Sequence, residues 1–367
     1  MVIANFCCAR RSCGAIGNGA GFQSRNNHDA TCLGRLYSAA GGCHMTGLYA
    51  GVDLGGTTIK VAIAAADGDI LAQDQVSTSS HLGPSAVLNS MGDVIGRLKS
   101  QIAATSPLIG VGIGVPGLVD IETGTTKFLP NLPTQWRNIP VGAILQQRLG
   151  CPVRLLNDVR AATLGELRFG HGKREPQLTM AFFSIGTGVG GGVALKGDLW
   201  LGPLGAAGEL GHQTIVPDGP RCGCGNRGCL EALASGTAIA AQGVRLMRSG
   251  LAPALHALVD GNADRVTTRE MTAVADQDPL VHEALVDAAI AIGIAAANVV
   301  TILHPDLIVL GGGVAEMGTL LTDTVQDVIT CRVGMFPTDQ VRVERSLLGE
   351  QAGLCGAVAL AMKAAHT

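Results

Sequence analysis

The sequence predicts an α/β protein made of two related domains with a cleft between them. Three observations carry this reading. The 367 residues are 47% hydrophobic and only 15% charged, enough apolar mass to fill two ordinary cores. From Met45 onward, strand-like apolar runs alternate with segments of helical spacing, the order expected of α/β folds. One pattern, strand then glycine turn then strand, also occurs twice: first as "LYAGVDLGGTTIKVAIAAADGDIL" and again as "LTMAFFSIGTGVGGGVALKGDLWLG".

The first 44 residues stand apart. They hold one acidic residue, Asp29, against four arginines, show no sustained period, and carry five of the eleven cysteines: Cys7, Cys8, Cys13, Cys32 and Cys43. One reading is an Arg- and Ser-bearing targeting segment. The other is an unstructured or mis-annotated extension ahead of a start at Met45. We adopt the second, because the pattern after Met45 begins like a complete domain. In order, "SAVLNSMGDVIGRLKSQIAAT" has helical spacing, "LIGVGIGVPGLVD" reads as a strand into a Gly-Pro turn, and "PVRLLNDVRAATLGELRFG" as a strand followed by a helix that starts near Asn157–Asp158. The run from Ala284 to Leu303 is about the length that crosses a bilayer. Asp287 and Asn298 interrupt it, and no basic or aromatic anchors flank it, so it predicts a buried core helix. His304–Pro305 ends that helix, and "DLIVLGGG" follows as a buried strand running into glycines. Cys151, Cys331 and Cys355 sit among apolar neighbours and are expected to be buried thiols.

Charge and composition exclude some partners. A formal net charge of -3 gives no bulk attraction for nucleic acid, and 3% aromatic residues leave little for base stacking. The 52 glycines cluster in turns, where backbone comes close to a ligand. In "DLGGTTIK", Gly55, Gly56, Thr57 and Thr58 offer N–H and hydroxyl donors to a phosphate, with Lys60 beyond. Asp53 at the mouth of that turn can hold Mg²⁺, directly or through water. A tight hairpin with no ligand is the alternative. Formal G-x-G-x-x-G spacings occur at Gly186, Gly188, Gly191 and at Gly112, Gly114, Gly117, but each runs on into strand or turn, not helix. That excludes a dinucleotide fingerprint. Gly311, Gly312 and Gly313 form a third turn, suited to cradling a nucleotide.

Two clusters carry the remaining chemistry. Asp158 follows Asn157 where a strand meets a helix; it is a candidate acid–base group, although Asn and Asp there also read as a plain helix cap. Cys222, Cys224 and Cys229 in C-x-C-x₄-C spacing, with His212 ten residues upstream, supply the closed Cys₃His set of a structural zinc. The geometry of a disulfide argues against a bridge within C-x-C. Three unpaired thiols in a loop remain the alternative. Glu209 and Glu231 flank this stretch, with no lysine near.

Taken in order, "DLGGTTIK", "GVGIGVPG", "LLNDVRAATLGE", "SIGTGVGGG", "GAAGELGH" and "CGCGNRGCLE" resemble the ROK (repressor, open reading frame, kinase) family, and within it the bacterial-type glucokinases. The likeness runs from about Leu48 to the C-terminus. It implies two actin-like, ribonuclease H-like α/β domains around a substrate cleft. An N-terminal domain is expected over 45–160, completed by a C-terminal helix at 353–365, and a larger domain over 161–352 with a zinc-binding loop at 209–231. The resemblance further implies ATP-dependent phosphoryl transfer to the 6-hydroxyl of glucose, with Mg²⁺ and a structural Zn²⁺. Asp158 then matches the general base, and Asn131, Asn157, Glu209, His212 and Glu231 match sugar contacts. Asp53, Gly55, Gly56, Thr57, Thr58 and Lys60 match a first phosphate motif, Gly186, Thr187 and Gly188 a second, and Gly311 to Gly313 the adenosine side. His212, Cys222, Cys224 and Cys229 match the zinc ligands. A cytoplasmic homodimer or homotetramer, with no nucleic-acid or membrane partner, is the accompanying expectation. N-acetylmannosamine, N-acetylglucosamine and fructose are the alternative acceptors, polyphosphate the alternative donor, and a sugar-sensing repressor the rival from another functional class.

Overall fold

The computed structural model describes residues 47–103, 105–130 and 132–364. The N-terminal extension and Asn131 lie outside the described residues.

The chain enters on β1 (Leu48–Leu54) and turns back through β2 (Thr58–Ala64) and β3 (Ile70–Ser77). Helix α1 (Pro84–Ala103) leads to β4 (Leu108–Val115), which pairs parallel with β1. A small hairpin, β5 (Leu118–Asp120) with β6 (Thr125–Phe128), and helix α2 (Val141–Leu149) precede β7 (Val153–Asn157), parallel to β4. The resulting sheet has the order β3-β2-β1-β4-β7. Helix α3 (Asp158–Arg168) follows without a linker.

The second half repeats the plan. β8 (Met180–Ile185), β9 (Val189–Leu195) and β10 (Asp198–Trp200) form the meander. A helical stretch then intervenes: α4 (Leu230–Ala234), α5 (Gly236–Arg248), α6 (Pro253–Leu258), α7 (Thr268–Val274) and α8 (Pro279–Leu303). β11 (Leu307–Gly311) returns parallel to β8, and after α9 (Thr319–Arg332) comes β12 (Arg342–Arg345), parallel to β11. The order is β10-β9-β8-β11-β12, the same as the first sheet, strand for strand. Strands β8 and β11 are buried along nearly their whole length, which explains their unbroken apolar sequence.

The last helix, α10 (Ala352–Ala364), leaves the second sheet and packs against β1, β4 and α3 of the first half. Its crossing with α3 is very close. A Cβ added at Gly356 would fall on the carbonyl of Ala161, and one at Gly165 on that of Ala352. Small residues at the crossing are therefore what permits the two helices to touch backbone to backbone.

Helix α8 is the one helix among the described residues long and apolar enough to cross a membrane, and most of that stretch is buried inside the protein. It packs against α9, α4, α5 and α7, as a core helix of the second half. His304 ends it in a left-handed conformation. The expectation of three buried thiols holds for Cys151 and needs correction for the other two: Cys355 is only partly buried, and Cys331 is exposed. The buried stripe of α9 is Leu321, Val325 and Ile329, at helical spacing of four, and position 331 falls outside it.

Candidate active site and metal cluster

Strand β7 ends at Asn157 and α3 begins at Asp158, so the two side chains meet at one helix start. The capping is done by Asn157: its Oδ1 accepts from the amides of Val159 at 3.1 Å and Arg160 at 3.2 Å, while its Nδ2 donates to the Gly117 carbonyl at 3.2 Å. That leaves Asp158 with one oxygen on the Val159 amide at 2.9 Å and the other uncommitted to the cap. Burial raises its carboxyl to about 6, the Val159 amide opposes the shift, and the nearby Asp53 carboxylate adds to it. A carboxyl poised there is suited to accept a proton near neutrality. Asp53, on β1, is also held above the ordinary carboxylate range by burial, against the pull of Lys60.

The cation of this site is Arg160, in the first turn of α3. It is 2% exposed, and its guanidinium makes four hydrogen bonds. Nε donates to the Ala207 carbonyl at 3.1 Å, Nη2 to Ala206 O at 3.1 Å and to Glu209 Oε1 at 2.7 Å, and Nη1 to Asn157 Oδ1 at 3.2 Å. A buried guanidinium thus ties the β7–α3 junction to the loop that carries Glu209. Sequence reading missed this residue. Its signal was an arginine in the first turn of the helix, directly before the apolar Ala161–Ala162 pair.

Around Glu209 the acids and the imidazole converge. His212 turns Nε2 toward Glu209 Oε2 at 4.0 Å and Nδ1 toward Cys222 Sγ at 3.6 Å. Cys224 and Cys229 sulfurs lie 3.7 Å apart. The four donor atoms of His212, Cys222, Cys224 and Cys229 all fall within 4.8 Å of one another. Ligands of a tetrahedral zinc with Zn–S bonds of ~2.3 Å stand about 3.8 Å apart, so the set fits that ion with little rearrangement. Glu231, in the first turn of α4, is the neighbour of this cluster. Its Oε1 accepts from Cys222 Sγ at 3.6 Å and its Oε2 from the Val189 amide at 3.0 Å. A Cβ on Gly188 would come within 2.5 Å of Glu231 Oε2; glycine there leaves room for the carboxylate. Glu231 therefore bridges the sulfur cluster and the β8–β9 turn, with lone pairs still free to accept more.

The glycine turns separate into two groups. Gly186, Thr187 and Gly311 to Gly313 line one cavity of about 760 Å³, together with the start of α5, Thr267 to Arg269, Glu316, Arg345 and Ser346. The pairing of β11 with β8 brings the two turns together, Gly311 opposite Ser184. The first turn does not join them: Gly55, Gly56, Thr57 and Thr58 form a closed hairpin, with the Gly55 amide on Thr58 O at 2.9 Å, and are absent from the cavity lining. Lys60 reaches its rim, where Nζ lies 3.5 Å from the Glu350 carbonyl. Arg269, Arg345 and Glu316, all on the cavity wall, belong to no motif and were not legible beforehand.

This geometry offers a buried carboxylate of raised pKa, a group of hydrogen-bonding acids beside a four-donor sulfur cluster, and a glycine-lined cavity large enough for a nucleotide. The profile of the ROK family matches residues 49–364. A glucokinase of Thermotoga maritima is 34% identical over 317 residues, spanning 84% of this chain and 96% of that protein. A xylose repressor of Caldicellulosiruptor bescii is 30% identical over 86% of this chain and 78% of its own length. Among solved structures, a ROK family glucokinase from Streptomyces griseus, in complex with glucose and AMPPNP, superposes with a TM-score of 0.71 at 33% identity, over 86% of this chain and all of that one. The fold, the order of the motifs and these relatives agree, and the chain belongs to the ROK family.

Proposed function

We propose that this protein is an ATP-dependent sugar kinase that phosphorylates the 6-hydroxyl of glucose, with Asp158 as general base. The observation that carries the reading is the division of labour at the β7–α3 junction: Asn157 caps the helix, and Asp158, raised to about 6 by burial, keeps an oxygen for another task.

In this mechanism the sugar hydroxyls are read by Asn157, Glu209 and His212, with Asn131 and Glu231 as further contacts. These groups suit a neutral, multi-hydroxyl substrate, and Arg160 fixes Asn157 and Glu209 relative to each other. Asp158 accepts the proton of the attacking hydroxyl as the new O–P bond forms and ADP departs. The adenosine side of ATP occupies the cavity between Gly186 and Gly313, and the β1–β2 turn from Gly55 to Thr58 completes the phosphate contacts as the cleft closes. Mg²⁺ supplies charge neutralisation on the triphosphate, and Asp53 is the residue suited to hold it. Zinc, when bound to His212, Cys222, Cys224 and Cys229, supplies a closed four-ligand clamp that takes no part in the transfer. Through it His212 keeps Nε2 directed at the Glu209 side.

The test is Asp158→Asn. We expect turnover to fall by about 10³-fold or more while sugar binding, measured by calorimetry, persists. Substantial residual turnover rules Asp158 out as the base.

A further inference from the structure

Helix α3 has two functional ends. Its first residue is Asp158, and its last turn carries Glu166, a carboxylate with no accessible surface at all. Glu166 Oε1 accepts from the hydroxyl of Ser346 and from the amide of Leu348 at 3.0 Å. The Ser346 hydroxyl in turn accepts from the Gly349 amide at 2.8 Å, and the Ser346 amide donates to Leu310 O at 2.9 Å, beside the Gly311 turn. Ser346, Gly349 and Leu310 all line the glycine-rich cavity. One buried carboxylate oxygen thus holds the segment that forms a wall of that cavity.

The other oxygen has no partner among the described residues. His171 Nε2 lies 3.9 Å away, and that nitrogen instead faces the Arg345 carbonyl at 3.1 Å. A half-satisfied buried carboxylate costs stability, and an apolar side chain would avoid the cost. What the carboxylate provides is two charge-assisted bonds that fix the 346–349 turn. We propose that Glu166 is a positioning residue for the nucleotide: it clamps the 346–349 wall of the cavity to the same helix that presents Asp158, so that phosphoryl donor and general base are held by one rigid element.

This inference rests on the kinase reading, and the experiment separates the two. ADP binding by calorimetry, and KM for ATP and for glucose, are measured on the intact chain and on Glu166→Ala, Ser346→Ala and Glu166→Gln. Loss of bonds to a buried charge predicts that Glu166→Ala and Ser346→Ala each weaken ADP binding and raise KM for ATP about tenfold, with KM for glucose within about twofold. Glu166→Gln, whose amide oxygen can still accept both bonds, stays within about threefold of the parent for ADP. A folded Glu166→Ala or Ser346→Ala protein with unchanged ADP affinity overturns the proposal, as does a parallel loss of glucose and nucleotide affinity. If Glu166→Ala fails to fold, Ser346→Ala decides. A parent chain that binds ADP but phosphorylates no sugar overturns the kinase reading alone, because the ADP-binding comparison still tests Glu166.

Discussion

The two five-stranded sheets share one strand order and present different chemistry at the ends of their strands. In the first sheet, acids stand at the carboxyl ends of β1 and β7: Asp53 is one residue before the end of β1 and Asp158 directly follows β7 as the first residue of α3, close enough that one raises the other's pKa. In the second, β8 and β11 run into glycines, and the two turns face one cavity of about 760 Å³. Shared topology fixes where a ligand can sit, just beyond the carboxyl ends of parallel strands. It does not fix what is bound there. An acid at that position can take a proton, whereas a bare glycine turn lets a phosphate or a ring come close. Between meander and returning strand the first copy has the single helix α1, whereas the second has the cysteine loop and the helices α4 to α8, which is why the sulfur cluster has no counterpart in the first.

The contrast can be broken at defined points, the largest effect first. Arg160→Met removes the cation that joins the acid-bearing junction to Glu209. We expect KM for the sugar to rise about 100-fold, consistent with losing bonds to a charged group, with little change in ADP affinity. Equal losses on both sides would mean that Arg160 only supports the fold. Cys224→Ser is expected to lose bound zinc, read by metal analysis, and to weaken sugar affinity roughly tenfold, as for other disturbed metal shells. Unchanged sugar affinity after zinc loss would make the cluster remote scaffolding. The third effect is pH dependence. In the proposed role Asp158 is a base only when ionised, and burial raises its carboxyl to about 6. As pH falls through that value the active form is lost, so kcat/KM should drop by about tenfold per unit below it, with a flat profile from 7 to 8. Smallest is Gly188→Ala, which pushes on Glu231 Oε2 and should cost roughly 1–3 kcal/mol of stability, read by thermal denaturation.

Much of this was legible in the sequence because it is local. The strand–turn–strand openings, the α8 core helix and the Asn157–Asp158 junction each declare themselves within one continuous stretch of chain. The cysteine cluster does too, since its four donors span only His212 to Cys229. What was hidden depends on long-range approach. Arg160 finds Ala206, Ala207 and Glu209 46 to 49 positions away. Glu166 finds Ser346 and Leu348 across 180 and 182 positions. Neither separation has a spacing rule, and a charged residue inside a helix normally reads as a solvated one. The β1–β2 turn shows the reverse limit. Its glycines and threonines match a phosphate motif, and the hairpin closes on its own backbone without contributing a residue to the lining of the cavity formed by the other two turns.

The central claim is that the acid-bearing half and the glycine-lined half together make a sugar kinase. The most direct measurement is ADP release by the intact chain supplied with ATP, Mg²⁺ and, in parallel, glucose, N-acetylmannosamine, N-acetylglucosamine and fructose. The account predicts sugar-dependent ADP release with the highest kcat/KM for glucose. A chain that binds these sugars yet releases no ADP with any of them would contradict it.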